Sequence, residues 1–304
     1  MMEHCTQSIE DTLRNIFGEN ALITDRTPMT GSDLNRICRL TLSTGERVFA
    51  KYNSPERADM FRAEAEGLDA IRKTGCMPTP TVYGYGTDPD DNKAFILLEY
   101  LPQRRMQSAA AWQQFGRQLA EMHRSGAVLF SNGSKYGFRS DNYIGLSPQV
   151  NAGCGSWIDF FRTNRLEVQM RKGEHIFNKK QLKQFSYLLD HLDRWLQEPE
   201  FPSLLHGDLW GGNAMRCADG VIRLIDPAVY VGDREADLAM TELFGGFPQG
   251  FYEAYEEMSP LEPGYRDRRD LYNLYHLLNH MNLFGMGYLP EVLSVVNRYV
   301  GDPG

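Results

Sequence analysis

The sequence predicts an α+β fold, with a β-rich first third and a mainly helical remainder. Three observations carry this. Short β-rich runs separated by turn residues persist to about residue 101. Beyond 102 the apolar spacing becomes that of helices. The chain has 304 residues, 42% of them hydrophobic and 24% charged, which is the composition of a globular protein long enough for two domains. The expected division is a first domain over 1–101 and a second over 102–304.

Element by element, residues 8–18 read as an opening helix. Ile37–Leu42 and Arg47–Tyr52 flank the turn Ser43-Thr44-Gly45-Glu46 and predict a hairpin. Ser54-Pro55-Glu56 reads as a helix start, with an N-cap, a proline at the first position and an acid in the first turn. Phe61, Ala65, Leu68 and Ile71 then share one helical face, and Gly75 ends the helix. Pro78 and Pro80 mark a loop before a further hairpin that closes on Phe95–Pro102. A helix is expected over about 108–123, then a Gly-, Asn- and Ser-rich stretch at 131–156. Helices follow near 157–171 and 179–197, a short strand, turn and strand over 204–226, and helices to about 300.

Charge and composition exclude several classes of function. The net charge is −8 and the isoelectric point about 5.4, so no general nucleic-acid partner is expected. The five cysteines are scattered and form no CxxC, which fits reduced thiols rather than a zinc ribbon or disulfide framework. The N-terminus lacks the basic and apolar regions of a signal peptide. The apolar run Ala94–Leu98 stops at Glu99, far short of the roughly 20 residues of a membrane span. A cytoplasmic monomer with no membrane partner is the expectation.

The chemistry is concentrated in His206-Gly207-Asp208-Leu209-Trp210-Gly211-Gly212-Asn213, followed by Val221-Ile222-Arg223-Leu224-Ile225-Asp226. An Asp, an Asn five positions later, and a second Asp closing an apolar strand form the pattern of a phosphoryl-transfer loop. Asp208 is then the base that orients an acceptor hydroxyl, and Asn213 and Asp226 are the candidate ligands of Mg²⁺. Such a site also needs a strand lysine for the phosphates and a helix glutamate to hold it. Lys51 ends Val48-Phe49-Ala50-Lys51. At 100° per residue, Glu64 lies about 60° from Phe61 and about 40° from Leu68, beside the packed face; Glu66 lies about 140° and 160° from them, toward solvent. Glu64 is therefore the expected partner. Gly31 and Ser32, in Thr30-Gly31-Ser32-Asp33-Leu34-Asn35 between two strands, sit where a phosphate-covering turn belongs. Glu99, Tyr100 and Leu101, at the domain boundary, sit where an adenine would meet exposed backbone. Trp210 is a candidate wall of the acceptor pocket or a packing residue.

These residues resemble the fructosamine/ketosamine kinase family, a branch of the protein-kinase-like fold related to the aminoglycoside and choline phosphotransferases. The particular features are His206–Asn213 with its Trp210, Asp226-Pro227-Ala228, Gly232–Ala239, Glu242–Phe247, and Trp157-Ile-Asp-Phe-Phe161 followed by Arg165-Leu166. The resemblance runs from about residue 8 to about 300 and implies a two-lobed kinase-like architecture. It implies ATP- and Mg²⁺-dependent phosphorylation of the sugar 3-hydroxyl of fructosamine, ribulosamine or erythrulosamine adducts, free or protein-bound, which releases the amine. It also implies Asp208 as base, Asn213 and Asp226 as metal ligands, Lys51 and Glu64 as the phosphate-binding pair, and Glu99–Leu101 as the adenine hinge. Many relatives carry a cysteine in the Gly-rich turn; Thr30–Asp33 has none, so a disulfide dimer through that turn is not expected.

Alternatives of other kinds are narrower. A small-molecule kinase for an aminoglycoside, choline or homoserine-like alcohol would share the loop but not the residues around Trp210 and 242–247. A protein kinase would need an A-P-E sequence after Asp226, which is missing. An inactive nucleotide-binding module would not need the complete set of Lys51, Glu64, Asp208, Asn213 and Asp226. His276 and His280 are four apart on a helix, but Leu277 stands where HExxH needs Glu, so they read as core histidines. His123 reads as structural, His206 as orienting the loop, and Asp237 as its buttress.

Overall fold

The computed structural model describes residues 8–30, 34–130 and 133–301. In chain order the elements are helix α1 (Ile9–Phe17), strands β1 (Ile23–Pro28), β2 (Arg36–Leu42) and β3 (Arg47–Asn53), helix α2 (Ala58–Lys73), and strands β4 (Val82–Asp88) and β5 (Lys93–Glu99). Then come helix α3 (Ala109–Ser125), strands β6 (Asn142–Ile144) and β7 (Ser147–Gln149), and helices α4 (Trp157–Phe161), α5 (Glu167–Lys172) and α6 (Lys179–Asp190). Strands β8 (Ser203–Leu205), β9 (Ala214–Arg216), β10 (Ile222–Leu224) and β11 (Tyr230–Gly232) precede helices α7 (Arg234–Leu243), α8 (Gln249–Met258), α9 (Tyr265–Phe284) and α10 (Leu289–Val300). They gather into two compact units, Met1–Ala111 with Ala214–Pro227, and Trp112–Asn213 with Ala228–Gly304.

The first unit is built on an antiparallel sheet in the order β1-β2-β3-β5-β4. Strand side chains alternate between faces, and that period of two divides the core. Ala50, Phe95 and Leu97 face one way and pack with Ile9 and Leu13 of α1. Ile96 and Leu98 face the other way and pack with Phe61, Ala65 and Leu68 of α2. Lys51 pairs with Ile37 and Ile96 in register, so it shares the α2 face. The start of α2 differs from the sequence reading. Ser54 has the extended backbone of a cap, but its hydroxyl makes no capping bond, and Pro55–Arg57 form a 3₁₀ turn before the α-helix. Gly75, at φ +72°, turns the chain away after the helix.

Strands β9 and β10 form a hairpin that belongs to this same unit. Backbone bonds from Arg104 N to Arg216 O (2.8 Å), Ala218 N to Pro102 O (2.7 Å) and Leu224 N to Pro78 O (3.0 Å) hold it there. The first unit therefore consists of two stretches of chain, whereas the sequence reading drew one stretch over 1–101. Three-residue strands are too short to signal their partner.

The second unit is mainly helical, with β8 paired to β11 and β6 to β7. Its aromatic core includes Trp157, fully buried, with its indole N–H donating to the Tyr272 hydroxyl at 3.2 Å. The helix expected over 157–171 is interrupted by a π-helical turn at Arg162–Leu166. The helix expected over 179–197 closes at Asp190 and is followed by a 3₁₀ turn at Leu192–Arg194. Among the described residues no helix is long and apolar enough to cross a membrane. The four described cysteines are free thiols.

Candidate active site

In the first unit, the ammonium of Lys51 lies 2.8 Å from Glu64 Oε1 and also pairs with the Asp226 carboxylate. Glu66, the alternative on the same helix, pairs instead with Arg62 at 2.9 Å. One buried cation thus stands between two carboxylates. Burial alone would lower the Lys51 pKa, but Asp226 and Glu64 outweigh it and raise it, so the ammonium keeps its charge. Burial pushes the Glu64 carboxyl up; Lys51 opposes this and Asp226 adds to it. Asp226 adopts φ +51°, a left-handed conformation that Asp tolerates better than most residues. Its side chain is 46% exposed, so the carboxylate that meets Lys51 also meets solvent.

The hinge candidates lie in the same unit. Glu99 donates its N–H to Thr81 O, and its carboxylate accepts from Thr81 N (3.1 Å) and Oγ1 (3.2 Å). Tyr100 lies under the Arg39 guanidinium at 5.9 Å, and Leu101 is half-buried. Gly31 and Ser32 lie outside the described residues.

In the second unit, β8 delivers the chain into His206-Gly207-Asp208. Gly207 has φ +81°, and a Cβ there would stand 2.0 Å from the Ala228 carbonyl oxygen. Only glycine permits that approach. Asp237 on α7 fixes the turn, its Oδ2 accepting from His206 N at 2.7 Å and its Oδ1 from Gly207 N at 2.9 Å. His123 adds a third bond, Nε2 to Asp237 Oδ2 at 3.2 Å, while its Nδ1 meets the Tyr255 hydroxyl at 2.8 Å. Burial lowers the His123 pKa against the pull of Asp237. Burial would raise that of Asp237, but its bonds outweigh this and lower it. A neutral ring next to a carboxylate donates from Nε2 and accepts the Tyr255 proton at Nδ1. The sequence reading placed Asp237 as a buttress; the His123–Tyr255 extension carries no sequence signal, because its members lie on α3 and α8.

The turn beyond is equally determined. Asp208 N donates to His206 Nδ1 at 3.2 Å. Asn213 Nδ2 donates to Asp208 O at 2.8 Å and to Asp208 Oδ2 at 3.1 Å. With its nitrogen committed to these acceptors, the amide has Oδ1 to offer a cation. Trp210 is 40% exposed, and its indole lies so close to Gly212 that a Cβ there would come within 2.4 Å of it. Asp233 and Glu235 are buried. Asp233 caps α7 and accepts from the Tyr272 hydroxyl at 2.8 Å, and Glu235 holds Arg268 by two bonds of 2.6 and 2.7 Å. His276 is buried within α9, its Nδ1 without a hydrogen-bond partner. Among the described residues no three His, Cys, Asp or Glu gather to hold a metal.

A family model described as Fructosamine kinase matches residues 5–302. The chain belongs to the fructosamine kinase family. A relative named "Probable ketoamine kinase" from Vibrio parahaemolyticus is 39% identical, with 99% of each chain covered. The chloroplastic protein-ribulosamine 3-kinase of Oryza sativa subsp. indica is 37% identical over 96% of this chain and 84% of its own. The crystal structure of a chain assigned as a fructosamine-3-kinase from Haemophilus somnus superposes with a TM-score of 0.85 at 31% identity, covering 96% of each. This fructosamine kinase family member is accordingly a phosphotransferase with the α+β, two-lobed kinase-like fold.

Each unit holds one oxygen donor of the kind Mg²⁺ accepts. Mg²⁺ takes one or two protein oxygens and completes its shell with waters and phosphate oxygens. Asp226 offers a solvent-accessible carboxylate and Asn213 an amide oxygen. A cage of three acidic residues is neither present among the described residues nor needed.

Proposed function

We propose that the protein phosphorylates the 3-hydroxyl of ketosamines, the adducts of ribulose-, erythrulose- or fructose-type sugars with amines, with ATP as donor. The family membership supports the substrate class. The observation that carries the chemistry is the Asp208 turn, whose carboxylate and carbonyl are both gripped by Asn213 while Asp237 locks the preceding backbone. In this reading Asp208 orients the acceptor hydroxyl and receives its proton as the oxygen bonds to the γ-phosphorus and ADP departs. Lys51, held by Glu64, offsets phosphate charge with an ammonium already aligned. Glu99, Tyr100 and Leu101 receive the adenine, Gly31 and Ser32 cover the phosphates, and Trp210 meets the sugar. Asn213 and Asp226 would hold Mg²⁺, which neutralises charge on the phosphate oxygens when bound. Phosphorylation at this position destabilises the adduct and frees the amine.

The test is Mg-ATP turnover on Nα-protected ribulosyl-lysine and fructosyl-lysine, beside kanamycin and choline, with Asp208→Asn as control. Turnover of a ketosamine that the variant lacks is the expected result. Turnover of kanamycin or choline alone would discard the substrate assignment while keeping the fold and the chemistry.

A further inference from the structure

Part of the exposed apolar surface of the second unit is contiguous. Among the described residues eleven large hydrophobic side chains are exposed, and Trp210, Phe244, Phe284 and Met286 are four of them. Ring contacts join them in file. Trp210 meets Phe244 edge-on at 6.4 Å, Phe244 stacks on His280 at 5.2 Å, and His280 meets Phe284 at 5.5 Å and Tyr288 at 5.2 Å. Met286 follows in the 3₁₀ turn after α9 and is 56% exposed.

The file has an inner and an outer end. The inner end is Trp210, two residues past Asp208, with its indole seated on Gly212. The outer end is Phe284 and Met286, the most exposed of the four. A sugar whose hydroxyl lies at Asp208 reaches the first ring; the rings beyond face whatever carries the amine. Burial keeps His280 neutral, so the file presents no formal charge. Contiguous apolar surface of this kind marks a place where something else binds. A second copy of the chain is disfavoured by size: six residues fall well short of the roughly 20–30 per side in a stable interface. An extended peptide needs no more than this.

We infer that the ridge beyond Trp210, from Phe244 to Met286, binds the amine-bearing half of the substrate, namely apolar or aromatic residues flanking a modified lysine in a flexible peptide. This rests on the ketosamine reading and adds a preference among protein-bound adducts. An aromatic side chain laid on such a ridge gains burial and ring–ring contact, enough for about tenfold in affinity.

The test compares ribulosyl-lysine peptides flanked by Phe, Gly or Glu with Nα-protected ribulosyl-lysine, reading both kcat/KM and the calorimetric Kd. The wild type should favour the Phe-flanked peptide over the Gly-flanked one about tenfold, through KM. Phe284→Ser and Met286→Ser should each erase most of that preference and leave the small adduct within about twofold. Equal values for all three flanks, or a preference that survives both substitutions, would overturn the inference while leaving the kinase assignment intact. So would a dimer that Phe284→Ser converts to monomer. Flank-dependent binding without turnover of any ketosamine would support the ridge and overturn the assignment of activity.

Discussion

Gly207 and Gly212 are both required, for different reasons, and Gly211 between them is not. At Gly207 the backbone has positive φ and a Cβ would overlap the Ala228 carbonyl. Gly207→Ala should therefore lower stability by about 3 kcal/mol or more, or abolish soluble expression, because backbone and not a flexible side chain would have to move. At Gly212 the obstacle is the Trp210 indole, which can swing away. Gly212→Ala should fold, raise KM for the sugar acceptor several-fold and change kcat little. Gly211 has nothing within 4 Å, so Gly211→Ala should stay within about 0.5 kcal/mol in a thermal melt. The charged residues divide in the same way. Lys51→Met removes the cation from two carboxylates and should cost about 10²–10³ in kcat/KM for ATP. Glu64→Gln leaves Lys51 paired with Asp226 and should cost about tenfold. Equal losses in steady-state kinetics would show that Glu64 does more than hold the lysine.

At the scale of elements, α7 fastens the Asp208 turn through one side chain. Asp237→Asn would turn an amide N–H₂ toward donors that need an acceptor, leaving buried N–H groups unpaired. Chemical denaturation should show a loss of about 3 kcal/mol, with kcat down about a hundredfold because Asp208 follows directly on the loosened backbone. Tyr255→Phe removes the outermost bond of that chain, together with the hydroxyl's interaction with Arg234, and should cost about 1 kcal/mol. This division matches what was legible in the sequence. The period of 3.6 in α2 placed Glu64 beside the packed face, Lys51 stood out as the lysine that ends an apolar strand run, and the close spacing of Asp208 and Asn213 held them in one turn. Local pattern was sufficient there. It was insufficient where a distant partner decides. Asp233 and Glu235 look like a solvated face until Tyr272 and Arg268 arrive from α9. The β9–β10 hairpin is claimed by Pro78, Pro102 and Arg104, more than a hundred residues earlier. The Ser54 side chain caps nothing because the Arg57 N–H donates to the Ser54 carbonyl, at 2.9 Å, in the 3₁₀ turn that Pro55 opens.

For the whole molecule, buried histidines and buried carboxyls pull acid stability in opposite directions. Burial drives the His276 pKa down to about 3, with His280 adding to the shift, Asp237 opposing it and Arg165 reinforcing it. The ordinary value is about 6.5. Between those limits the unfolded chain binds a proton that the folded protein refuses, so this group makes stability fall as pH falls below about 6.5, by about 1.4 kcal/mol per pH unit. His123 and His280 are shifted the same way. Asp233 and Glu64 are shifted up by burial, so the folded state holds their protons longer and stability from them is lost as pH rises. The net slope of the wild type is thus a partial cancellation, and the difference between two proteins isolates one group. His276→Leu carries a fixed packing change at every pH but no proton to take up on unfolding. Measured by urea denaturation, its stability relative to the wild type should rise by about 2 kcal/mol between pH 7.5 and pH 5. Parallel pH dependences would mean that His276 is protonated within the folded protein, its imidazolium paired inside α9's buried layer rather than excluded from it.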